Sequence, residues 1–277
     1  MPEGDTIYRA ARTLRKALEG REILAVATSV PQVRAMGPQR LVGQTVAAVE
    51  ARGKHLLHWF APSDLALHTH MMMSGSWHTY RTGERWRKPE RWARFVLEVP
   101  EWTAVCFSAP VCELLSRSQV AGHRSLSGLG PDALGETTDL AEARRRLDAR
   151  GDVTIGEALL DQRVLAGVGN VYKCEVLFLH AVDPWTPVRD VPLETRDGLL
   201  ATAERLLKAN VAPGSSLRRT TTAAPAGARD AARLHVYGRS GRPCPRCRAP
   251  LRMARQGEQA RQTYWCPSCQ GPGPAGT

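Results

Sequence analysis

The spacing of apolar residues changes from helical to strand-like near the start of the chain. Four residues recur at helical spacing and predict a first helix over residues 5–19. They are Ile7, Ala11, Leu14 and Leu18. Between residues 22 and 116 the apolar residues form seven short runs, separated by Gly, Pro, Asp and Ser. Several strands at such close spacing predict a β-sandwich or a barrel.

The chain beyond residue 130 is predicted to be helical. Residues 117–130 lose periodicity and gain Gly and Ser, which is typical of a linker. Helical character then returns in four segments, 139–150, 154–165, 170–181 and 192–210. Residues 213–230 are small, polar and interrupted by Pro and Gly, which predicts a mobile loop. Together the two halves predict an α+β multidomain protein.

Four of the seven cysteines form two CxxC pairs near the C terminus. The pattern Cys244-x2-Cys247-x18-Cys266-x2-Cys269 can close a tetrahedron of thiolates around one structural Zn²⁺. Four cysteine ligands leave no open coordination position, so a catalytic zinc is disfavoured. The segment between the pairs is predicted to be a hairpin that turns near Gly257 and presents Arg255 and Arg261.

The charge balance indicates a polyanionic partner. Lys and Arg number 38 against 27 acidic residues, which gives a net charge of +11, and the pI is 9.8. Nucleic acid is therefore favoured over an anionic membrane surface. No apolar stretch approaches the ~20 residues that span a bilayer, so we expect a cytoplasmic protein.

The first residues offer a nucleophile. Removal of Met1 would leave Pro2 with a secondary amine, and α-amino groups have a pKa of about 8. Such an amine attacks an aldehyde-like carbon and forms an iminium cation. Glu3 lies beside it at the start of the first predicted helix, where a carboxylate is stabilised and can move protons. A proline at position 2 is nevertheless common in proteins without such chemistry.

Three further motifs have both a functional and an ordinary interpretation. The turn at 167–170 delivers Asn170 to a helix start, which suits a phosphate or is simply an N-cap. Lys54 follows a turn glycine, and such a lysine is often only solvated. At least one of Met71, Met72 and Met73 should be exposed because strand side chains alternate, and it would be either a gap-filler or an apolar wedge for a base stack.

Two histidines are interpreted as structural. His68 and His70 share one face of a predicted strand. No carboxylate or third ligand lies near them in the sequence, so we expect no metal there.

The order of these motifs resembles the formamidopyrimidine-DNA glycosylase and endonuclease VIII family of DNA-repair enzymes. The motifs are PEG at the start, ARGKHLL near residue 54, LAGVGN at 165–170 and ARQTYWCPSC in the cysteine segment. The resemblance covers residues 2 to about 270. It implies an N-terminal β-sandwich with a leading helix, a helix-two-turn-helix domain and a C-terminal zinc-finger hairpin.

The resemblance also implies domain limits. These are a catalytic sandwich at 1–118, a linker at 119–130, a helix-two-turn-helix domain at 131–238, a zinc finger at 239–270 and a disordered tail at 271–277.

The family's chemistry can be carried over to matching positions. The resemblance implies that Pro2 is the Schiff-base nucleophile and Glu3 the proton donor. Lys54 would contact phosphate and donate a proton in β-elimination, Asn170 would bind phosphate, and Arg261 would grip phosphate and assist δ-elimination. Met72 and Met73 would form the wedge in the DNA. The expected partner is damaged DNA, bound by a monomer in the bacterial cytoplasm or nucleoid, and the expected activity is that of a bifunctional DNA glycosylase and AP lyase.

Details of the motifs bear on the substrate. PEG instead of PEL favours the endonuclease VIII branch and oxidised pyrimidines. The family often has a glutamate at the position of Thr6 and an arginine at that of Gly128, for which Arg117 or Arg124 could substitute. The alternatives are an oxidised-purine glycosylase of the same family and a zinc-containing DNA-binding protein without catalytic activity.

Overall fold

The protein divides into two compact units. The computed structural model describes residues 2–216, 218–222 and 233–274. The sandwich unit is Met1–Gly128 and the C-terminal unit is Leu129–Thr277. Much of the predicted mobile loop at 213–230 and the end of the predicted tail at 271–277 lie outside the described residues.

The sandwich unit consists of two antiparallel four-stranded sheets. Its strands are β1 (Ala25–Thr28), β2 (Thr45–Arg52), β3 (His55–Ala61), β4 (Leu65–His70), β5 (Ser76–Arg81), β6 (Ala93–Val99), β7 (Trp102–Phe107) and β8 (Val111–Ser116). One sheet has the order β1-β6-β7-β5 and the other β2-β3-β4-β8. The predicted sandwich is confirmed, with one strand more than the sequence analysis identified, because β5 is mostly half-buried and lacks a clear apolar alternation.

The predicted first helix forms, and it packs against the sandwich core. Helix α1 (Gly4–Leu18) buries all four apolar residues that defined the predicted helix. Their side chains join the core cluster formed with residues of both sheets. The N-cap is Glu3, so the helix begins one residue earlier than predicted. Three short helices complete the unit, α2 (Pro31–Ala35), α3 (Arg117–Gly122) and α4 (Arg124–Ser127).

Two of the short helices lie in the predicted linker. A capping box starts α3, in which the Ser116 hydroxyl accepts from the Gln119 backbone N–H and the Gln119 side chain accepts from the Ser116 N–H. This local pairing is sufficient for a helix without an apolar periodicity.

The C-terminal unit is helical, followed by a hairpin. Its helices are α5 (Leu140–Asp148), α6 (Ile155–Ala158), α7 (Asn170–Leu179) and α8 (Leu193–Val211), and its strands are β9 (Arg252–Gln256) and β10 (Arg261–Trp265). The hairpin turns at Gly257, which has a positive φ of 70°, as predicted. Among the described residues, no helix combines the length and the apolar character that crossing a membrane requires.

The predicted helix at 154–165 is wrong in length. Only Ile155–Ala158 is helical, and the chain then turns. Thr154 and Glu157 have the spacing of a capping box, but no such box forms, because the Thr154 hydroxyl donates to the Glu157 carboxylate and also accepts from Gln256 Nε2. Tertiary hydrogen bonds to the hairpin therefore replace the local capping pattern.

Candidate active site and DNA-binding residues

Pro2 and Glu3 begin the sandwich unit at the first turn of α1. Pro2 is half-buried, and Glu3 is completely buried. The Glu3 backbone carbonyl accepts from the N–H groups of Thr6 and Ile7 and so starts the helix. Its carboxylate lies at the positive end of the helix dipole, where negative charge is stabilised.

A second carboxylate lies in the same turn. Asp5 is 1 % exposed, and the Thr6 hydroxyl donates to it over 3.4 Å. Although Thr6 is not the glutamate often found in the family, the first turn of α1 thus carries a buried carboxylate besides Glu3.

Lys54 occupies a two-residue turn between β2 and β3. Arg52 pairs with His55 across the hairpin, which leaves Gly53 and Lys54 as the turn. Gly53 has a positive φ of 56°, which the common two-residue hairpin turns need at their first residue. The glycine before Lys54 is therefore required by the hairpin, and the turn presents a half-buried lysine at the sheet end.

Helix α1 runs antiparallel to β2 and directs Pro2 toward this same end. Arg15 Nε donates to the Val49 carbonyl over 2.7 Å, and the Gly20 N–H donates to the Val46 carbonyl over 2.9 Å. Going back along the helix from Arg15 to Glu3 covers about 18 Å at ~1.5 Å per residue. Going forward along the strand from Val49 to Lys54 covers about 17 Å at ~3.3 Å per residue. The amine-bearing residue and the lysine are therefore brought to one end of the sheet.

The turn after β4 exposes two methionines. Met71 is buried at 3 % exposure, whereas Met72 and Met73 are 49 % and 66 % exposed. The strand ends at His70, so the three methionines lie in a turn rather than in the predicted strand. Met72 has a φ of 46°, and its N–H donates to His70 Nδ1 over 3.2 Å. Large exposed apolar side chains on a fixed turn suit insertion between bases.

His70, for which the sequence predicts a structural role, is a neighbour of Lys54. His55 pairs with His70 across β3 and β4, which brings the turn carrying Lys54 beside the methionine turn. Burial lowers the pKa of His70 to about 4, and the Lys54 ammonium contributes to this shift. His70 is therefore neutral at physiological pH, and the lone pair on its Nδ1 atom can accept the hydrogen bond from the Met72 N–H.

Asn170 begins α7, but it is not the cap of that helix. Gly169 is the N-cap with an extended backbone. The Asn170 side chain is 96 % buried and its Nδ2 atom donates to the Gln262 carbonyl over 2.7 Å. Its Oδ1 atom is buried and accepts no hydrogen bond from the part of the chain that the structure describes. The amide nitrogen carries two hydrogens, so Nδ2 can donate one to the Gln262 carbonyl and the other to a phosphate.

Gln162 holds the turn that precedes Asn170. Its Nε2 atom donates to the carbonyls of Leu160 and Val168, and its Oε1 atom accepts from the Gly167 N–H. Gly167 has a φ of 99°, which explains why glycine stands there. Gln162 could not be identified from the sequence, because nothing in a lone glutamine indicates such contacts.

Arg261 is the first residue of β10. It directly precedes Gln262, whose carbonyl accepts the hydrogen bond from Asn170. Its Nε and Nη2 atoms donate to Gln259 Oε1 over 3.1 and 2.9 Å. The side chain borders a cleft that also includes Arg150, Arg163 and Gln162. Asn170 and Arg261 are thus brought together by the hydrogen bond to Gln262.

The four cysteines form one cluster. The Sγ atoms of Cys247 and Cys266 are 3.4 Å apart and those of Cys244 and Cys269 are 3.9 Å apart, and all four lie within 4.8 Å of one another. A tetrahedron with Zn–S bonds of ~2.3 Å has edges of about 3.8 Å. The donor set therefore fits a tetrahedral metal ion.

The two arginines considered as substitutes at Gly128 differ in their surroundings. Arg117 forms an ion pair with Asp64 at 2.9 Å and lies over the Trp59 ring. Arg124 is exposed in the first turn of α4. Of the two, Arg124 is the better candidate for a phosphate contact.

Comparisons with known proteins identify the family. The formamidopyrimidine-DNA glycosylase N-terminal domain matches residues 1–110, and the H2TH domain of the same family matches residues 129–222. The chain is 43 % identical to "Probable endonuclease 8 2" of Streptomyces coelicolor over 99 % of this chain and 96 % of that protein. It is 37 % identical to "DNA-(apurinic or apyrimidinic site) lyase Nei2" of Mycolicibacterium smegmatis, over 98 % of this chain and 99 % of that protein.

A solved structure agrees with this result. A Lactococcus lactis FPG mutant, in complex with a Fapy-dG containing DNA, matches with a TM-score of 0.81 and 25 % identity. The match covers 97 % of this chain and 99 % of that one. The relatives and the fold agree with the residue patterns described above, and the chain belongs to the formamidopyrimidine-DNA glycosylase family.

Proposed function

We propose that the protein removes oxidised bases from DNA, preferring pyrimidines, through a Schiff base on Pro2, and then cuts the strand by β- and δ-elimination. That the chain is a DNA glycosylase and AP lyase of base excision repair follows from its full-length similarity to proteins with these names and from its fold. The observation that carries the mechanism is the direction of α1, which brings Pro2 and Glu3 to the Lys54 end of the sheet.

The chemistry begins at the Pro2 amine, once Met1 is removed. The nitrogen lone pair forms a bond to C1′ as the bond from C1′ to the base breaks, and the electrons of that bond leave with the base. The proton that the amine loses goes to the departing base, and Glu3 protonates O4′ as the sugar ring opens. The product is an iminium cation, which acidifies the C2′ hydrogen.

Two eliminations then cut the strand. In the first, the Glu3 carboxylate, left without its proton after ring opening, takes the C2′ proton, and the C3′–O bond breaks so that the phosphate on the 3′ side leaves, with Lys54 as proton donor. In the second, the C4′ proton is lost to solvent and the C5′–O bond breaks, so that the phosphate on the 5′ side leaves, with Arg261 assisting. Each step needs a group that holds a phosphate and neutralises charge as it develops, and Lys54 and Arg261 are cations suited to this role.

DNA binding is proposed to use groups from both units. Lys54, Asn170 and Arg261 contact phosphates, so affinity should fall steeply with salt. Flipping the damaged nucleotide costs a few kcal/mol, less for a lesion that pairs poorly. Met72 and Met73 fill the gap left in the stack.

The four cysteines are proposed to hold one structural zinc ion. Cys244, Cys247, Cys266 and Cys269 would bind it as thiolates and keep β9 and β10 in place. The ion supplies folding energy to the segment 239–270 and takes no part in the reaction. We further propose that the protein acts as a monomer on chromosomal DNA in the bacterial cytoplasm.

A panel of duplexes tests the substrate preference. Each duplex carries one lesion, namely thymine glycol, dihydrouracil, 8-oxoguanine or an abasic site. The proposal expects faster excision of the two pyrimidine lesions and strand ends that carry phosphate on both sides. Faster excision of 8-oxoguanine would instead support the oxidised-purine alternative, and binding to every lesion without a cut would support the non-catalytic one.

A further inference from the structure

Three side chains of the sandwich unit converge outside the residues proposed for catalysis. His68 on β4 and Glu113 on β8 are directly opposite each other in the sheet. His68 Nδ1 lies 2.9 Å from Glu113 Oε2, and His123 Nε2 lies 3.2 Å from the same oxygen. The carboxylate that the sequence analysis found missing beside His68 is therefore present, 45 residues further along the chain.

We propose that His68, Glu113 and His123 form a second metal site, which takes a divalent first-row transition metal such as Zn²⁺. Three potential ligand atoms, one from each residue, lie within 4.8 Å of one another. A tetrahedral ion with ~2.1 Å bonds requires ligand atoms about 3.4 Å apart. The distances of 2.9 and 3.2 Å to Oε2 approach this spacing. The two histidine nitrogens, which lie within 4.8 Å of each other, need to approach by at most about 1.4 Å to reach it.

In His68 and His123, the ring nitrogen that faces away from Glu113 already has a hydrogen-bond partner. His68 Nε2 lies 2.9 Å from His55 Nδ1, and His123 Nδ1 lies 3.1 Å from Ser125 Oγ. Metal-binding histidines in proteins almost always have such a partner, which orients the ring and fixes the tautomer. This arrangement distinguishes the cluster from three polar side chains that meet at a surface.

His68 and His123 can bind the metal without gaining or losing a proton. With Glu113 as acceptor, His68 Nδ1 and His123 Nε2 carry the ring hydrogens. When the metal takes those positions, the hydrogen of His68 moves to Nε2 and that of His123 moves to Nδ1, facing Ser125. The hydrogen of His55 then moves from Nδ1 to Nε2, so that His55 Nδ1 accepts from His68 Nε2. Both histidines therefore stay neutral, as metal ligands must.

The exposure of the three residues leaves room for a water ligand. His68 is completely buried, His123 is 22 % exposed and Glu113 is 41 % exposed at the side chain. A metal ion can thus enter from the Glu113 side and keep water in its fourth position. Two imidazoles and one carboxylate favour Zn²⁺, Ni²⁺ or Cu²⁺ over Mg²⁺ or Ca²⁺.

Cobalt substitution tests the proposal on the full chain. Thiolate ligands give Co²⁺ an intense charge-transfer band, which a site with two imidazoles and a carboxylate lacks. We expect the first equivalent of Co²⁺ to produce that band and a second equivalent to add only weaker d–d absorption. We also expect two equivalents of Zn²⁺ by metal analysis after dialysis against micromolar Zn²⁺.

Variants separate the two sites. Glu113→Gln and His123→Ala should lose the second equivalent and keep the first, whereas His78→Gln, which changes a histidine outside the cluster, should keep both. Ser125→Ala should lower the affinity for the second equivalent of metal about tenfold, because His123 loses the partner that orients its ring. The circular dichroism of each variant confirms that it has folded.

Two results would overturn the proposal. One is a wild-type protein that binds only the thiolate-coordinated equivalent. The other is a second equivalent that persists in folded Glu113→Gln and His123→Ala. Since no step of the proposed base excision uses this cluster, either result would leave the proposed function untouched.

Discussion

The Asn170 side chain joins the start of α7 to the cysteine-bearing hairpin through a 2.7 Å hydrogen bond from its Nδ2 atom to the Gln262 carbonyl. Asn170→Ala should therefore cost about 1–2 kcal/mol of stability, because a buried hydrogen bond is lost. It should also weaken DNA binding, since the proposed phosphate donor is lost and the position of Arg261 is disturbed. Chemical denaturation and DNA titration measure the two effects.

Asn210→Ala provides the control for that variant. Asn210 is also a buried amide of the C-terminal unit, and its Nδ2 atom donates to the carbonyls of Leu206 and Thr220. This control should lose stability but retain DNA affinity more fully than Asn170→Ala. Equal losses of affinity would show that Asn170 acts only through stability.

Lys54→Gln should lower both DNA affinity and the rate of strand cleavage. Loss of one phosphate contact is expected to reduce the slope of log K against log salt by about 1. Arg52→Gln removes the same charge from the same hairpin, but Arg52 is already paired with Glu50 at 2.9 Å. The slope for Arg52→Gln should therefore stay near the wild-type value, and a matching drop would argue against a specific role for Lys54.

Cys247→Ser should abolish thiolate-coordinated metal and lower the melting temperature of the C-terminal unit. Four thiolates close the proposed site, so losing one opens it. Cys112→Ala is the control, since burial raises the pKa of that thiol to about 12 and the thiol is a poor ligand while protonated. The cobalt charge-transfer band should vanish in the first variant and persist in the second.

Acid should destabilise the sandwich unit through His58. Burial lowers the pKa of His58 to about 4, below the ~6.5 of an exposed histidine. The unfolded chain then binds more protons between these values, so stability falls as the pH drops through that window. From pH 7 to pH 5 the loss for this group is about 2 kcal/mol.

His58→Phe should reduce the acid sensitivity. The variant keeps an aromatic ring beside Trp77 but cannot titrate. The measurement is the free energy of unfolding at pH 7 and pH 5 for both proteins. If the free energy of unfolding falls by the same amount from pH 7 to pH 5 in both proteins, His58 does not contribute to the acid sensitivity.

Local patterns were sufficient to predict most of the fold. The apolar face of α1 was predicted residue by residue, because helical spacing and burial coincide there. The CxxC pairs predicted their own cluster, since each knuckle brings two ligands together within four residues. Such features depend on neighbours that lie close in the sequence.

Contacts between distant residues could not be predicted in this way. Asn170 looked like a helix cap, yet its partner Gln262 is 92 residues away. His68 appeared to lack a carboxylate because Glu113 lies on a strand that is adjacent only in the folded sheet. A completely buried Lys173, whose Nζ donates to Thr263 Oγ1 over 2.5 Å, was likewise not foreseen. Sequence spacing carries no information on these pairings.

Borohydride trapping on a duplex with one abasic site shows whether the Pro2 nitrogen forms the covalent intermediate. We expect a covalent adduct that peptide mapping places on Pro2, formed more slowly by Pro2→Gly and not formed by protein with an acetylated N terminus. An adduct that forms undiminished after acetylation, or that maps to another residue, would exclude Pro2 as the nucleophile.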